Sequence, residues 1–324
     1  MFSRANTRVA ALLRQLNGTG AACTAIGHKV ACNATSASST PPAQGLLHGR
    51  VAIITGSGAG IGEAAAKLFA REGAYVVVTD LDRAKCLAVT ESINSEHTRS
   101  VPPRALAVPG DVTDEAFPAE LVRRTIERYG GVDILVNNAG YTWDSVIHKT
   151  SKKQWDAMLL VHCTAPFRLL QAVEPHMRGA AKIELESGRK PRPRVVINVS
   201  STSGIHGNAG QANYATAKMG VLGLTKTVAK EWGAFNVRCC CIAFGYVQTR
   251  LTAKRDKESI SLGDGTRVPL GIPGMNFEDV AKTTVPLQRM GTVEEAAGSM
   301  LMLASDHAGY INGICLEVTG GLGI

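Results

Sequence analysis

From residue 50 onward, short apolar runs alternate with longer amphipathic stretches. RVAIIT (50–55), AYVVVTD (74–80), RALAVPGDV (104–112), VDILVNNAG (132–140), RVVINVS (194–200), VRCCCI (237–242) and GICLEVTGG (313–321) have strand length and are bounded by turn residues. Their apolar positions are continuous rather than alternating, as in strands buried on both faces. Helical segments are predicted between them: EAAAKLFAREGA, about 82–96, DEAFPAELVRRTIERYG, about Lys152 to His176, the stretch after Tyr214, and a last helix that Thr292 and Glu295 open as a capping box. Strands separated by helices of this length imply right-handed crossovers. The predicted fold is α/β: a Rossmann-like, doubly wound parallel sheet of about seven strands in a three-layer αβα sandwich.

The first strand runs into GSGAGIG and then a helix. In that context Gly56, Gly60 and Gly62 permit a tight turn and a close backbone approach, and the helix N-terminus attracts a pyrophosphate. Asp80 ends the second strand, eighteen residues after Gly62. A carboxylate there accepts hydrogen bonds from an adenine ribose and repels a 2′-phosphate, so NAD(H) is expected in preference to NADP(H). The competing role for Asp80 is to cap the next helix. Asp111 and the run Asn137-Asn138-Ala139-Gly140 lie at the ends of the third and fourth strands, where open α/β sheets bind ligands.

Ser201 follows the fifth strand, Tyr214 comes thirteen residues later, and Lys218 four after that. On a helix the last spacing places an ammonium and a phenol on one face. The three side chains together suggest a proton-handling site.

These motifs resemble those of the short-chain dehydrogenase/reductases from about Gly49 to the C terminus: Thr55-Gly56-x-x-x-Gly60-Ile61-Gly62, Asn137-Asn138-Ala139-Gly140, Ser201 and Tyr214-x-x-x-Lys218. Within the family, GNAGQANYATAKMGVLGLTKTVAKEW and PLQRMGTVEEAAGSMLMLASDHAGYINGICLEVTGG look most like 3-oxoacyl-[acyl-carrier-protein] reductases. The resemblance implies that Tyr214 is general acid for ketone reduction, that Ser201 hydrogen-bonds the substrate oxygen, and that Lys218 holds the nicotinamide ribose and lowers the phenol pKa. It implies cofactor contacts from Ser57, Ile61, Val112, Asn138, Ala139 and Gly140, with Val247 and Thr249 at the carboxamide. It also implies a homotetramer using the Tyr214 helix and the last helix. His162 stands where the family usually has the Asn whose carbonyl continues the proton relay, and its imidazole is expected to titrate near neutral pH. Phe244 replaces the usual Pro before Gly245, and Cys240 replaces a common Asn.

Residues 1–45 form a separate region. Arg4, Arg8, Arg14 and Lys29 are their only charges, the first acidic residue is Glu63, and a Thr/Ser/Ala/Pro-rich tail follows. That composition predicts an organellar transit peptide, mitochondrial in preference to plastid, with a disordered extension as the alternative. Residues 46–324 form one NAD(P)-binding domain. The segment 250–288, rich in Gly, Pro and charge, is expected to be a substrate lid.

The net charge of +8 owes half its size to the first 49 residues. No basic stripe or stacking motif supports nucleic-acid binding, and no apolar window is long enough for a membrane span. Eight cysteines lack C-x-x-C spacing, and Cys239, Cys240 and Cys241 alternate across a strand, so no metal site is expected. The run Arg189, Lys190, Arg192, Arg194 reads as a solvated loop, with docking of an acidic partner as the alternative; separately, the resemblance implies an acyl carrier protein as a partner. The expected activity is NAD(H)-dependent interconversion of a ketone and a secondary alcohol, on 3-oxoacyl chains of a carrier protein in organellar fatty-acid synthesis. A 3-hydroxyacyl-CoA, steroid or other secondary-alcohol substrate is the alternative. A non-catalytic cofactor-binding subunit would lack the tyrosine or lysine, and both are present.

Overall fold

The computed structural model describes residues 45–254, 259–263, 265–271, 274 and 277–323. The expected transit peptide lies outside these residues. The apolar runs become β1 (Val51–Thr55), β2 (Tyr75–Thr79), β3 (Ala105–Ala107), β4 (Ile134–Asn137), β5 (Arg194–Ser201) and β6 (Val237–Phe244). A short antiparallel hairpin, β7 (Ser259–Ser261) and β8 (Arg267–Pro269), precedes β9 (Cys315–Val318). Seven strands form one parallel sheet in the order β3-β2-β1-β4-β5-β6-β9.

The sheet is covered on both faces because successive residues point to opposite sides. Ala52 and Ile54 join one apolar cluster with Ala66 and Phe69, whereas Ile53 joins another with Leu121, Met158 and Leu169. The first layer holds α1 (Gly60–Arg71), α2 (Arg83–Glu96) and the C-terminal helix α10 (Val293–Ala304). The second holds α3 (Phe117–Tyr129), a long segmented helix over 152–186, and α8 (Ala212–Trp232). Phe69 is fully buried between α1 and the sheet; truncating such a residue to alanine typically costs about 3–5 kcal/mol. Cys239 falls in one layer and Cys240 in the other, as strand alternation requires.

The segmented helix runs further than its sequence pattern predicts. It comprises α4 (Lys152–Leu159), a π turn (Leu160–Thr164), α5 (Ala165–Glu174), a second π turn (Pro175–Gly179) and α6 (Ala180–Glu186). Pro175 has no N–H to donate, and the chain passes it by widening the helix rather than ending it. The connection to β5 is therefore partly helical. Its basic run is tied to the fold: Arg194 is buried in an ion pair with Glu184 at 2.7 Å, and Arg192 reaches Asp133 at 3.4 Å.

Two other boundaries differ from expectation. β3 stops at Ala107, before Pro109, so Asp111 stands in the turn beyond the strand. The segment 250–288 contains the hairpin and α9 (Phe277–Thr284). The capping box of α10 forms as predicted, with Thr292 Oγ1 accepting from the Glu295 N–H.

Because β1 sits between β2 and β4, the chain leaves β1 in one direction and returns to β4 on the other side. A crevice opens at this reversal, at the carboxyl ends of the strands. The predicted site residues follow the strands that border it.

Candidate active site

The glycine turn after β1 is held from behind by the loop after β4. Thr55 Oγ1 accepts from the backbone N–H groups of Asn138 and Ala139, both at 3.0 Å. Asn138 Nδ2 donates to the carbonyls of Thr55 at 2.9 Å and Gly56 at 3.2 Å. Gly56 has φ 64°, and a Cβ on Gly62 would lie 2.3 Å from the Gly56 oxygen. Only glycine lets α1 start so close to the turn. Ala59 supplies no side-chain cap to α1, which leaves first-turn N–H groups able to meet an anion.

Asp80 completes this corner. Its Oδ2 accepts from the Gly58 N–H at 2.9 Å and its Oδ1 from the Asp82 N–H at 3.0 Å. Asp82, not Asp80, caps α2. Asp80 is thereby fixed beside the glycine turn, and the helix-cap alternative does not hold. Ser57 turns inward: its Oγ donates to the Ile54 carbonyl and its N–H to the Thr79 carbonyl. It pins the turn and does not line the cleft.

A cavity of about 730 Å³ runs along these elements. Gly56, Gly60, Ile61, Gly62, Asp80, Asp111, Val112, Asn138, Ala139, Gly140 and Thr249 all border it. Its size and its combination of glycine turn, helix N-terminus and carboxylate suit a nicotinamide dinucleotide.

A second cavity, of about 190 Å³, contains Ser201, Tyr214, Lys218, His162 and Val247, and shares Ile61, Asn138, Gly140, Tyr141, Thr249 and Leu251 with the first. Ser201 is the last residue of β5 and the N-cap of α7 (Thr202–His206), where its Oγ accepts from the Ser203 N–H at 3.1 Å. Tyr214 and Lys218 lie in the first two turns of α8. That helix is fixed to β5 by Ser200 Oγ, which donates to the Lys218 carbonyl at 2.7 Å. The sequence spacing thus brings all three side chains together.

Electrostatics within the cluster depart from expectation. Tyr214 is half-buried and lines the cavity. Burial pushes the phenol up to about 12, while a hydrogen bond with Ser201 pulls it down and the Asp144 carboxylate adds to the rise. The expected lowering by Lys218 is not realised in the free protein. The Lys218 ammonium donates to the Val199 carbonyl at 2.7 Å and stands 5.6 Å from the Tyr214 ring centre. Burial lowers Lys218 itself to about 8.

His162 lies in the first π turn, a frequent location for functional residues. Its Nε2 hydrogen-bonds the Tyr141 carbonyl at 2.8 Å, and its ring meets Tyr214 edge-on with centres 5.0 Å apart. A Cβ on Gly140 would sit 2.2 Å from the imidazole Cε1. Burial, reinforced by the Lys218 charge, holds the imidazole well below its ordinary pKa. It stays neutral, so the expected titration near neutral pH does not occur; the ring instead braces Tyr214.

Sequence reasoning missed Asp144 and Gln211. Both border the catalytic cavity, and Gln211 Nε2 donates to Asp144 Oδ2 at 3.0 Å. Asp144 follows Gly140 by four residues in the loop after β4, so its location beyond a strand's carboxyl end was the available signal.

Comparisons with known proteins agree with this arrangement. The sequence model described as short chain dehydrogenase matches residues 50–259. A 3-oxoacyl-[acyl-carrier-protein] reductase of Thermotoga maritima is 35% identical over 283 residues, covering 85% of this chain and 98% of that protein. A (3R)-3-hydroxyacyl-CoA dehydrogenase of Canis lupus familiaris is 32% identical over 283 residues, covering 85% of this chain and 97% of that protein. Among solved structures, a 3-ketoacyl-(acyl-carrier-protein) reductase from Brucella melitensis complexed with NADH aligns with TM-score 0.70 at 28% identity, over 86% of this chain and all of that one.

Proposed function

We propose that this chain, which belongs to the short-chain dehydrogenase family, reduces 3-oxoacyl groups on an acyl carrier protein to 3-hydroxyacyl groups, with NADH as reductant. The carrying observation is the joined pair of cavities: a dinucleotide-sized cleft opens directly onto Ser201, Tyr214 and Lys218. The likeness to carrier-protein reductases supports the substrate. The position of Asp80 supports NADH, since its fixed carboxylate would meet a 2′-phosphate with like charge.

Bound NADH supplies the hydride that reaches the carbonyl carbon. Ser201 orients the carbonyl oxygen, and Tyr214 donates its hydroxyl proton to that oxygen as the alkoxide develops. With its pKa near 12, Tyr214 is protonated throughout the neutral range and ready for reduction. The reverse reaction would begin from a phenolate, which burial disfavours. Lys218 supplies positive charge beside the phenolate left behind, and His162 keeps the Tyr214 ring in place.

A second reading, oxidation of a 3-hydroxyacyl-CoA by NAD, is supported by the canine relative. Protein lacking residues 1–45 is expected to oxidise NADH with acetoacetyl-carrier protein and, more slowly, with acetoacetyl-CoA. The Tyr214→Phe variant is expected to lose about 10²-fold or more in kcat. Turnover on neither compound rejects the 3-oxoacyl assignment, and an unchanged Tyr214→Phe rate rejects the catalytic one. The same reading places the enzyme in an organellar matrix as a homotetramer. Import of a reporter fused to residues 1–45 and sedimentation of the purified protein test those two parts.

A further inference from the structure

The insertion between β6 and α10 was expected over the substrate, but its hairpin borders the other cavity. Ile260, Leu262 and Gly263 from the β7 arm and Leu270 beyond β8 line the 730 Å³ cleft beside Asp80 and Asp111. A Cβ on Gly263 would stand 3.8 Å from Asp111 Oδ2. Among the described residues, the cavity holding Ser201 and Tyr214 takes its lining from the two flanks of the insertion, Leu251, Thr252 and Phe277, and from no residue of the hairpin.

The hairpin is anchored where it sits. Val268 and Leu270 are 1% and 5% exposed and belong to the same apolar cluster as Val112. The Leu262 N–H donates to the Thr266 carbonyl at 2.8 Å, and the Gly265 N–H returns to the Leu262 carbonyl at 2.9 Å. Lys153 Nζ, at the start of α4, donates to Thr266 Oγ1 at 2.6 Å.

The direction of a dinucleotide in the cleft is set by its chemistry. The glycine turn takes the pyrophosphate, Asp80 the ribose hydroxyls, and Tyr214 and Lys218 mark the nicotinamide end. The adenine must then lie past Asp80, toward Asp111 and Val112, where the hairpin supplies an apolar wall. We propose that the hairpin Ser259–Pro269 covers the adenosine half of the cofactor groove and sets how long the dinucleotide is held, without selecting the acyl substrate. This rests on the reading of the cleft as a nicotinamide dinucleotide site.

The test compares wild-type protein with Leu262→Ala and Lys153→Ala. Calorimetry and stopped-flow fluorescence measure binding and release of NADH, and of ADP, which carries only the adenosine half. Leu262→Ala is expected to weaken NADH and ADP alike, by about tenfold and mostly through faster release. Lys153→Ala, which removes the bond from α4 to Thr266 at the border of the same cleft, is expected to speed release several-fold. The KM for acetoacetyl-CoA at saturating NADH should stay unchanged in both. A raised acyl KM with unaltered ADP binding would overturn the proposal in favour of a substrate lid. Should Leu262→Ala prove poorly folded, Lys153→Ala and slower tryptic cleavage after Arg267 in ADP-saturated wild type carry the test, and no protection there counts against it. Wild-type protein that binds neither NADH nor ADP removes the dinucleotide reading itself. Normal wild-type binding with unchanged variants removes only the hairpin's role.

Discussion

Replacing Lys218 by methionine should stabilise the protein while disabling it. Lys218 is 4% exposed and its pKa falls from an ordinary 10.5 to about 8 because burial strips its water. At about 1.4 kcal/mol per unit, holding it charged at pH 7 costs about 3 kcal/mol. Methionine fills similar space without charge. Against this gain, the Val199 carbonyl loses the bond it accepts from Lys218 Nζ, a loss of about 1–2 kcal/mol. The net expectation at neutral pH is a gain of about 1–2 kcal/mol.

The sign of the pH dependence separates this account from simple repacking. Below pH 8 Lys218 is charged in both states and its full cost applies. Between pH 8 and 10.5 the unfolded chain binds more protons than the folded one, so wild-type stability rises with pH. The variant lacks that contribution, so its advantage should shrink through this window and reverse once the amine is neutral. Urea unfolding at pH 7, 9 and 10.5 measures the difference, in which most other titrating groups cancel. Activity should fall about 10²-fold or more. A Lys218→Met protein that is less stable at pH 7, by an amount independent of pH, would refute the reasoning.

Asp80→Asn retains an acceptor for one of the two N–H groups that Asp80 holds. The kcat/KM ratio for NADPH over NADH should rise about 10²-fold as the repulsion disappears, and an unchanged ratio would show that Asp80 does not read the ribose. In Gly140→Ala the new methyl would collide with His162 Cε1 at 2.2 Å; thermal melts should show about 1–3 kcal/mol of lost stability, with kcat reduced as Tyr214 shifts. Arg194→Ala leaves the Glu184 carboxylate without its buried partner, costing about 3–5 kcal/mol in denaturant titration. Arg192→Ala removes an arginine that is 60% exposed and should cost less than about 1 kcal/mol.

What was legible in the sequence follows from the range of the interactions involved. The strands, the glycine turn and the Tyr214–Lys218 pairing depend on neighbours within a few residues, and each lies where its spacing predicts. The depth of His162 does not. Its neutral state depends on Tyr141, Tyr214 and Lys218 closing around it, and none of these is near in sequence. The basic run near Arg194 likewise displays its charge, but the partner of Arg192 is Asp133, 59 residues away. For the insertion, glycine, proline and charge did not disclose the hairpin and α9 that it contains. Which cavity the hairpin borders depends on where Val268 and Leu270 pack.

The π turn at Leu160–Thr164 also makes chain length itself a structural parameter. A helix with one such turn carries a residue more than regular α geometry would use over the same rise. Deleting a single residue there would restore regular winding and leave α5 in nearly the same orientation relative to α4. Leu169, Leu170 and Val173 would keep facing the core. In this stretch a one-residue deletion is therefore better tolerated than one within α4 or α5, where the remainder of the helix would turn by about 100°.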